Sequence, residues 1–254
     1  MFNYLAVFFL LLGLTIGSFL NVVIFRIDDL KTIVLERSHC PQCKKQLAWY
    51  DLVPFLSFVM LRAKCRYCGK PISWQYPIVE LCVGALFLIL FMYFGLSWAF
   101  GFYALIFSLL TVVLVYDVKT QTVPEIFVWI ALVLAAVSGW YFGGFSITQA
   151  LLGALVGGGF LAILVFISKE KWMGMGDIKI GLILGFLVGY PQALFGLFTA
   201  FILGSVYGLI SMYFKKTDLK SSVAFAPFVI LATLLTLIYG STIVNWYLGI
   251  TGYR

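Results

Sequence analysis

An all-α, multi-pass membrane fold is predicted by three observations on the sequence. The 254 residues are 63% hydrophobic and only 11% charged, with a mean hydropathy of +1.07. That balance excludes an ordinary soluble domain. The apolar residues gather in eight runs, near 4–25, 78–95, 98–116, 126–142, 149–167, 178–190, 193–214 and 226–247. A spanning helix needs ~20 such residues. Four of the five cysteines fall in one polar stretch between the first two runs. The expected architecture is about eight transmembrane helices, with a small four-cysteine zinc-binding loop domain between helices 1 and 2.

The first run is a retained span rather than a cleavable signal, because no basic segment precedes it and no small-residue cleavage site follows. Orientation comes from lysine and arginine. Residues 26–77 carry nine of the seventeen, and the loops 117–125, 168–179 and 215–225 carry seven more, leaving only Arg254. The positive-inside rule then puts the N-terminus outside and the charged loops in the cytoplasm. All ten acidic residues fall on that cytoplasmic side. The net charge of +7 is accounted for by topology in this way, and nucleic acid is not an expected partner; the lipid bilayer is.

The sixth run is short. From residue 178 to 190 a helix reaches ~20 Å, less than the ~30 Å hydrocarbon core. A recessed cytoplasmic start accommodates it, and a re-entrant hairpin would put Lys215 and Lys216 on the wrong side. Small residues recur at four-residue spacing in Gly153/Gly157, Gly181/Gly185/Gly189 and Gly204/Gly208, which suits close helix packing. No repeat of 20–50 residues is apparent.

Cys40-x-x-Cys43 and Cys65-x-x-Cys68 are separated by 21 residues. Two such knuckles can close a tetrahedral zinc site, which with four protein ligands is structural. Redox or idle thiols are the alternative, and a reducing cytoplasm disfavours disulfides. A loop of this size has too small a core to hold itself without a staple. His39 is read as a bystander, and Cys82 as ordinary packing.

Asp117 closes one apolar run and Asp177 opens another. Carboxylates at membrane depth are by default functional. Asp177 also suits a helix N-cap. Asp117 has no such excuse, since the C-terminal end of a helix disfavours an anion, although Lys119 or interfacial water could compensate. As a pair they can share a proton, one activating water while the other polarises a peptide carbonyl. Gly174 and Gly176 would permit an unusual backbone path and the approach of an extended substrate. Asp218, among lysines, reads as a solvated loop residue.

The segment Gly174-Met175-Gly176-Asp177-Ile178-Lys179 resembles the GxGD motif of the type IV prepilin peptidases, and Asp117 with Val123-Pro124 is similar to that family's first aspartate motif. GSFLNVVIFRI (17–27), SHCPQC (38–43), LAWYDLVPFLSF (47–58) and LRAKCRYCGKPISWQYPIVE (61–80) resemble the cysteine-bearing domain of its bifunctional peptidase/N-methyltransferases. Phe225-Ala226-Pro227-Phe228 resembles a late family motif. The resemblance implies an eight-helix membrane aspartic endopeptidase of the bacterial cytoplasmic (inner) membrane, its active site facing the cytoplasm. It would cut the basic leader of prepilin or pseudopilin precursors after a glycine, then methylate the new N-terminal residue with S-adenosylmethionine.

Carried over residue by residue, Asp117 and Asp177 are catalytic, Gly174, Gly176 and Lys179 support substrate and backbone, and Cys40, Cys43, Cys65 and Cys68 hold zinc. Glu80, Lys70 and Gly69 are candidates for the methyl donor or substrate amine. Each has another reading: Glu80 as an acid at a helix start, Gly69 and Lys70 as a turn. No dinucleotide-type glycine fingerprint is present. Glu125 departs from the family's usual Asp or Asn after the proline, without expected effect on catalysis. The expected division is residues 1–25 as first span, 26–77 as zinc-binding and methyltransferase part, and 78–254 as membrane peptidase. Two other readings stay open at this point: a transporter whose aspartates carry protons or cations, and a scaffold that recruits a partner through its zinc loop.

Overall fold

The computed structural model describes residues 2–27, 29, 31–215 and 224–251; Asp218, Lys216 and Arg254 lie outside them. Ten α-helices occur among the described residues, and the only β pairing is a pair of isolated bridges. The eight expected runs are all helical: α1 (Phe2–Phe25), α4 (Gln75–Phe94), α5 (Trp98–Thr120), α6 (Glu125–Phe142), α7 (Ile147–Ser168), α8 (Met175–Val188), α9 (Gln192–Lys215) and α10 (Ala226–Thr251). Seven are long and apolar enough to cross a membrane. The exception is α8, whose 14 residues span ~21 Å. The short helices α2 (Lys31–Leu35) and α3 (Leu56–Met60) and a 3-10 turn at Trp49–Leu52 lie in the loop between α1 and α4; each is too short to leave a periodic signal.

The chain forms two compact units, Met1–Val112 and Val113–Arg254, so the boundary falls within α5. In the first unit α1 packs along α4 through glycine. A Cβ at Gly13 would lie 2.7 Å from the Val83 carbonyl, and one at Gly17 would lie 2.8 Å from the Cα of Glu80. Any side chain there forces the helices apart, because backbone cannot yield as a rotamer can. Buried Asn21 crosses the same interface, donating to the Tyr76 carbonyl at 3.2 Å and accepting from Gln75 at 3.2 Å. Cys82 is exposed on α4 rather than packed, contrary to expectation.

In the second unit α8 is the central helix. Its apolar character all round has a physical reason: no residue from Gly176 to Val188 is exposed, as expected for a helix enclosed by others. Against α7 the contact is glycine on glycine. A Cβ at Gly181 would lie 2.6 Å from the Gly157 carbonyl, and one at Gly153 would lie 2.8 Å from the Cα of Gly189. The glycine spacing on α7 and α8 thus marks a close helix approach. That on α9 does not: Gly204 faces the rings of Phe225 and Phe228, and Gly208 has nothing within 4 Å.

Candidate active site and metal centre

Asp177 lies in the first turn of α8, at its third residue, and not at the cap; the helix begins at Met175 with Gly174 as its cap. Its carboxylate accepts from the Gly174 N–H at 3.0 Å. Glycine has no side chain to return the bond, so only half of a capping box exists. Gly174 has φ −86° and ψ 162°, an extended conformation open to any residue, so the expected unusual path is absent. What glycine supplies is space. A Cβ at Gly176 would lie 2.7 Å from the Cβ of Val123, whereas at Gly174 the nearest atom, 4.0 Å away, is the Gly176 nitrogen.

Asp117 is reached from the other end of the chain. Helix α5 continues through it to Thr120, and the Ala226 N–H, at the start of α10, interacts with its carboxylate. The helix dipole that disfavours Asp117 from its own helix is therefore opposed by the positive end of a second one. Pro227 in the first turn of α10 suits that start, since its missing N–H would have no helical partner. The sequence motif Phe225-Ala226-Pro227-Phe228 carried no assigned role; its amide at Ala226 is the contact that sequence reasoning missed.

Both aspartates are buried, at 5% and 7% exposure, and each carboxylate lies within electrostatic reach of the other. One Asp117 oxygen, Oδ2, is buried with no hydrogen-bond partner among the described residues. An orphaned buried oxygen costs about 1–3 kcal/mol or more, and its natural partner is water or a bound molecule. Met173, just ahead of the glycine cap, belongs to an apolar cluster with Leu161, Val165 and Leu197.

Beside this pair, Glu125 at the start of α6 forms an ion pair with Lys179 of α8. The Trp129 indole donates to the same carboxylate at 3.0 Å, and the Lys179 ammonium lies 5.0 Å from the centroid of the Trp129 ring. The structure therefore brings Asp117, Asp177, Gly174, Gly176 and Lys179 into one unit, with Val123 and Glu125 as neighbours.

The four loop cysteines also converge. The sulfurs of Cys40, Cys43, Cys65 and Cys68 lie within 4.8 Å of one another, and all are free thiols. Tetrahedral Zn–S bonds of ~2.3 Å place sulfurs about 3.8 Å apart, so the donor set fits a metal ion. The backbone N–H of Lys70 favours the Cys68 thiolate, but desolvation and the neighbouring thiols outweigh it and push the thiol up to about 11. A cation that binds thiolate reverses that balance. His39 is outside the cluster, with Nδ1 3.3 Å from the Arg37 carbonyl.

The two knuckles repeat each other, which the sequence reading did not find. Cys40 N–H bonds the Lys45 carbonyl at 2.9 Å and Cys65 N–H bonds that of Lys70 at 2.8 Å. Lys44 and Gly69 occupy matching left-handed positions, with φ 58° and 68°. The bridges His39–Gln46 and Lys64–Pro71 close the two turns. Every pair is 25 positions apart, and so are Trp49 and Trp74. Glycine fits the left-handed turn at 69 without strain; Lys44 tolerates it at some cost. Asp51 ties the knuckles together, bonding Arg66 at 2.7 Å and the Ala48 N–H at 3.3 Å.

Glu80, Lys70 and Gly69 have separate surroundings. Glu80 is buried in α4 and accepts from the Phe55 N–H at 2.7 Å, with Ser18 as a further partner. Lys70 donates to Gln42 at 3.2 Å, and Gly69 is an exposed turn residue. Among the described residues no contact joins Glu80 to the other two.

An all-helical multi-pass membrane protein, with paired buried carboxylates at helix ends and a tetracysteine loop, is the class these features define. Comparison with known proteins narrows it. A sequence model of the Bacterial Peptidase A24 N-terminal domain matches residues 11–94, and one of the Type IV leader peptidase family matches residues 104–209. The chain is 32% identical over 244 residues to the Prepilin leader peptidase/N-methyltransferase of Bacillus subtilis, covering 93% of this chain and 95% of the relative. It is 32% identical over 275 residues to the protein so named in Xanthomonas campestris, covering 96% and 94%. For Myxococcus xanthus the figures are 36% over 219 residues, 82% and 63%. No solved structure matches the chain. The chain belongs to the type IV leader peptidase family and is an enzyme of that protease family.

Proposed function

We propose that the protein cuts the leader from type IV prepilin or pseudopilin precursors with Asp117 and Asp177 as its catalytic pair. The observation that carries this reading is the pairing itself: two buried carboxylates within electrostatic reach, one with an oxygen that has no partner among the described residues. Two such groups hold one proton between them. The ionised member takes a proton from water, the protonated member donates to the scissile carbonyl, and the water attacks the carbonyl carbon. Collapse of the tetrahedral intermediate returns a proton to the leaving amine. The open side of Gly174 gives an extended peptide room to approach. Gly176 keeps the Val123 loop against α8, and Lys179 holds α8 to Glu125.

Cleavage is assigned to the cytoplasmic face of the bacterial inner membrane, on the strength of the lysine and arginine distribution. The metal at Cys40, Cys43, Cys65 and Cys68 is assigned as structural zinc, because four protein thiolates leave no open position. Functionally the chain divides into a first span (1–25), a zinc-binding loop domain that serves methyl transfer (26–77) and a membrane peptidase (78–254). In that second activity the protein N-methylates the new N-terminal residue with S-adenosylmethionine. Glu80, Lys70 and Gly69 are the candidates for contact with donor or amine. Of these Glu80 has a competing structural role through Phe55, and Glu80→Gln separates the two: the neutral amide still accepts from Phe55, so loss of methylation with intact folding assigns a role to the charge.

The transporter alternative draws no support from the relatives' names. Co-expression with a prepilin-like precursor and intact-mass measurement of the product tests the reading. Loss of the leader mass and gain of one methyl group are expected. A precursor that keeps its full mass contradicts it, as does ion flux through reconstituted vesicles without any processing.

A further inference from the structure

The loop hairpin formed by the 3-10 turn and α3 presents an apolar face that the peptidase chemistry does not use. Helix α3 has one inward residue, Phe58, which is buried with its ring 5.0 Å from that of Trp74. Its other large apolar side chains, Leu56, Val59 and Met60, are exposed, Met60 to 75%. Trp49 and Trp74 are exposed beside them. Such a surface is poorly suited to water.

The hairpin's height relative to the spans is fixed. Phe55, the residue before α3, donates its N–H to Glu80 and is held at φ 58°, a conformation a bulky residue adopts only when its surroundings impose it. Glu80 lies five residues into α4, roughly 7–8 Å along its axis. It faces Gly17 of α1, four residues before Asn21, whose bonds to Gln75 and Tyr76 mark the polar end of this helix pair. The contact that holds the start of α3 therefore lies about 7–8 Å inside the end of α4 and about 12 Å inside that of α1. On α4 itself, Ile78 and Leu81 are exposed at this level, so bare apolar side chains of a membrane span lie at the same height as the apolar face of α3. Arg62 and Lys64, both exposed, follow the helix.

We infer that residues 49–60 form an interfacial anchor, with Leu56, Val59 and Met60 inserted among lipid acyl chains and Arg62 and Lys64 at the headgroups. Apolar side chains with tryptophan and basic residues at the rim are the composition of segments that lie in the bilayer interface. The inference concerns lipid contact and stands apart from the peptidase reading.

A photoreactive benzophenone amino acid placed at position 59 or 60 of the full chain tests it, in vesicles of phosphatidylethanolamine and phosphatidylglycerol. Position 81 serves as a lipid-facing reference and position 31 as an aqueous one. The anchor predicts phospholipid adducts at 59 and 60 in yields like those at 81, several-fold above 31. Yields equal to those at 31 overturn it. So do adducts to a second copy of the chain that rise with protein density, and adducts formed only with an added precursor peptide. As a second readout, Met60→Asp should leave the metal content unchanged while protease access to residues 49–60 in the same vesicles rises several-fold; unchanged access overturns the anchor.

Discussion

The two regions that carry chemistry-bearing residues are built on opposite principles. In the second unit, the aspartates sit at helix ends, Asp177 on the short helix α8 that glycine locks to α7, and each is within reach of a helix N-terminus. Position there comes from rigid elements, which fix a side chain more tightly than loops do. In the loop of the first unit there is little core: among the residues of described burial between 31 and 74, Phe58 and two cysteines are the buried apolar ones. Order there comes from cross-links, the four clustered thiols that could hold a metal ion, the Asp51–Arg66 pair and the Glu80–Phe55 bond. The comparison teaches that one protein can hold a site by packing and a neighbouring domain by staples, and that the two should fail differently.

The largest effect expected is at the packed site. Asp117→Asn or Asp177→Asn should lower the cleavage rate by roughly 10³-fold or more, as for members of one catalytic unit, while the protein remains inserted and thermally stable. Next comes the stapled region. Chelation, or any one of Cys40→Ser, Cys43→Ser, Cys65→Ser and Cys68→Ser, should take the metal content from one ion per chain to none. Protease cuts within residues 26–77 should then appear, and metal analysis with limited proteolysis reads both. If cutting instead spreads through α7 and α8, the separation of the two principles is wrong.

Smaller effects sharpen the packing claim. Gly181→Ala places a methyl group against the backbone of Gly157 and should destabilise the second unit by about 1–3 kcal/mol, read as a lower unfolding temperature in detergent. Gly208→Ala, with open space around it, should be neutral or slightly stabilising. The smallest effect belongs to Glu125→Gln. The carboxylate of Glu125 is exposed, so losing its ion pair with Lys179 should alter stability by only about 0.2–1 kcal/mol. An effect as large as that at Gly181 would mean that the α6–α8 link, rather than the glycine contact, positions the first turn of α8.

Much of this organisation was readable from the residues, and the exceptions have physical causes. Hydropathy located all seven long helices and the short α8 because each must bury or present an apolar surface along its length. Cysteine spacing located the four-thiol cluster because a tetrahedral ion demands paired donors. The surroundings of Asp117 were not readable, since Ala226 is more than a hundred positions away and its contribution is a backbone amide that any residue but proline would supply. The 25-residue repeat escaped because only an arginine, the cysteines, a lysine and a tryptophan coincide between residues 36–50 and 61–75, and the match resides in backbone turns. Gly174 and Gly176 were expected to serve backbone freedom. Their conformations are ordinary; space beside Val123 is what Gly176 provides. The glycines of α9 show the limit of spacing rules, for a stripe reports a possible close approach and not the presence of a partner.

The central claim is that Asp117 and Asp177 act as one unit. The measurement that tests it most directly is the single-turnover cleavage rate of a prepilin-like substrate by the reconstituted enzyme, compared among Asp117→Asn, Asp177→Asn and the double variant. A shared mechanism predicts that both single variants fall to the same floor and that the double variant falls no further. A single variant that cleaves near the parent rate, or a double variant whose loss is the product of the two single losses, contradicts it.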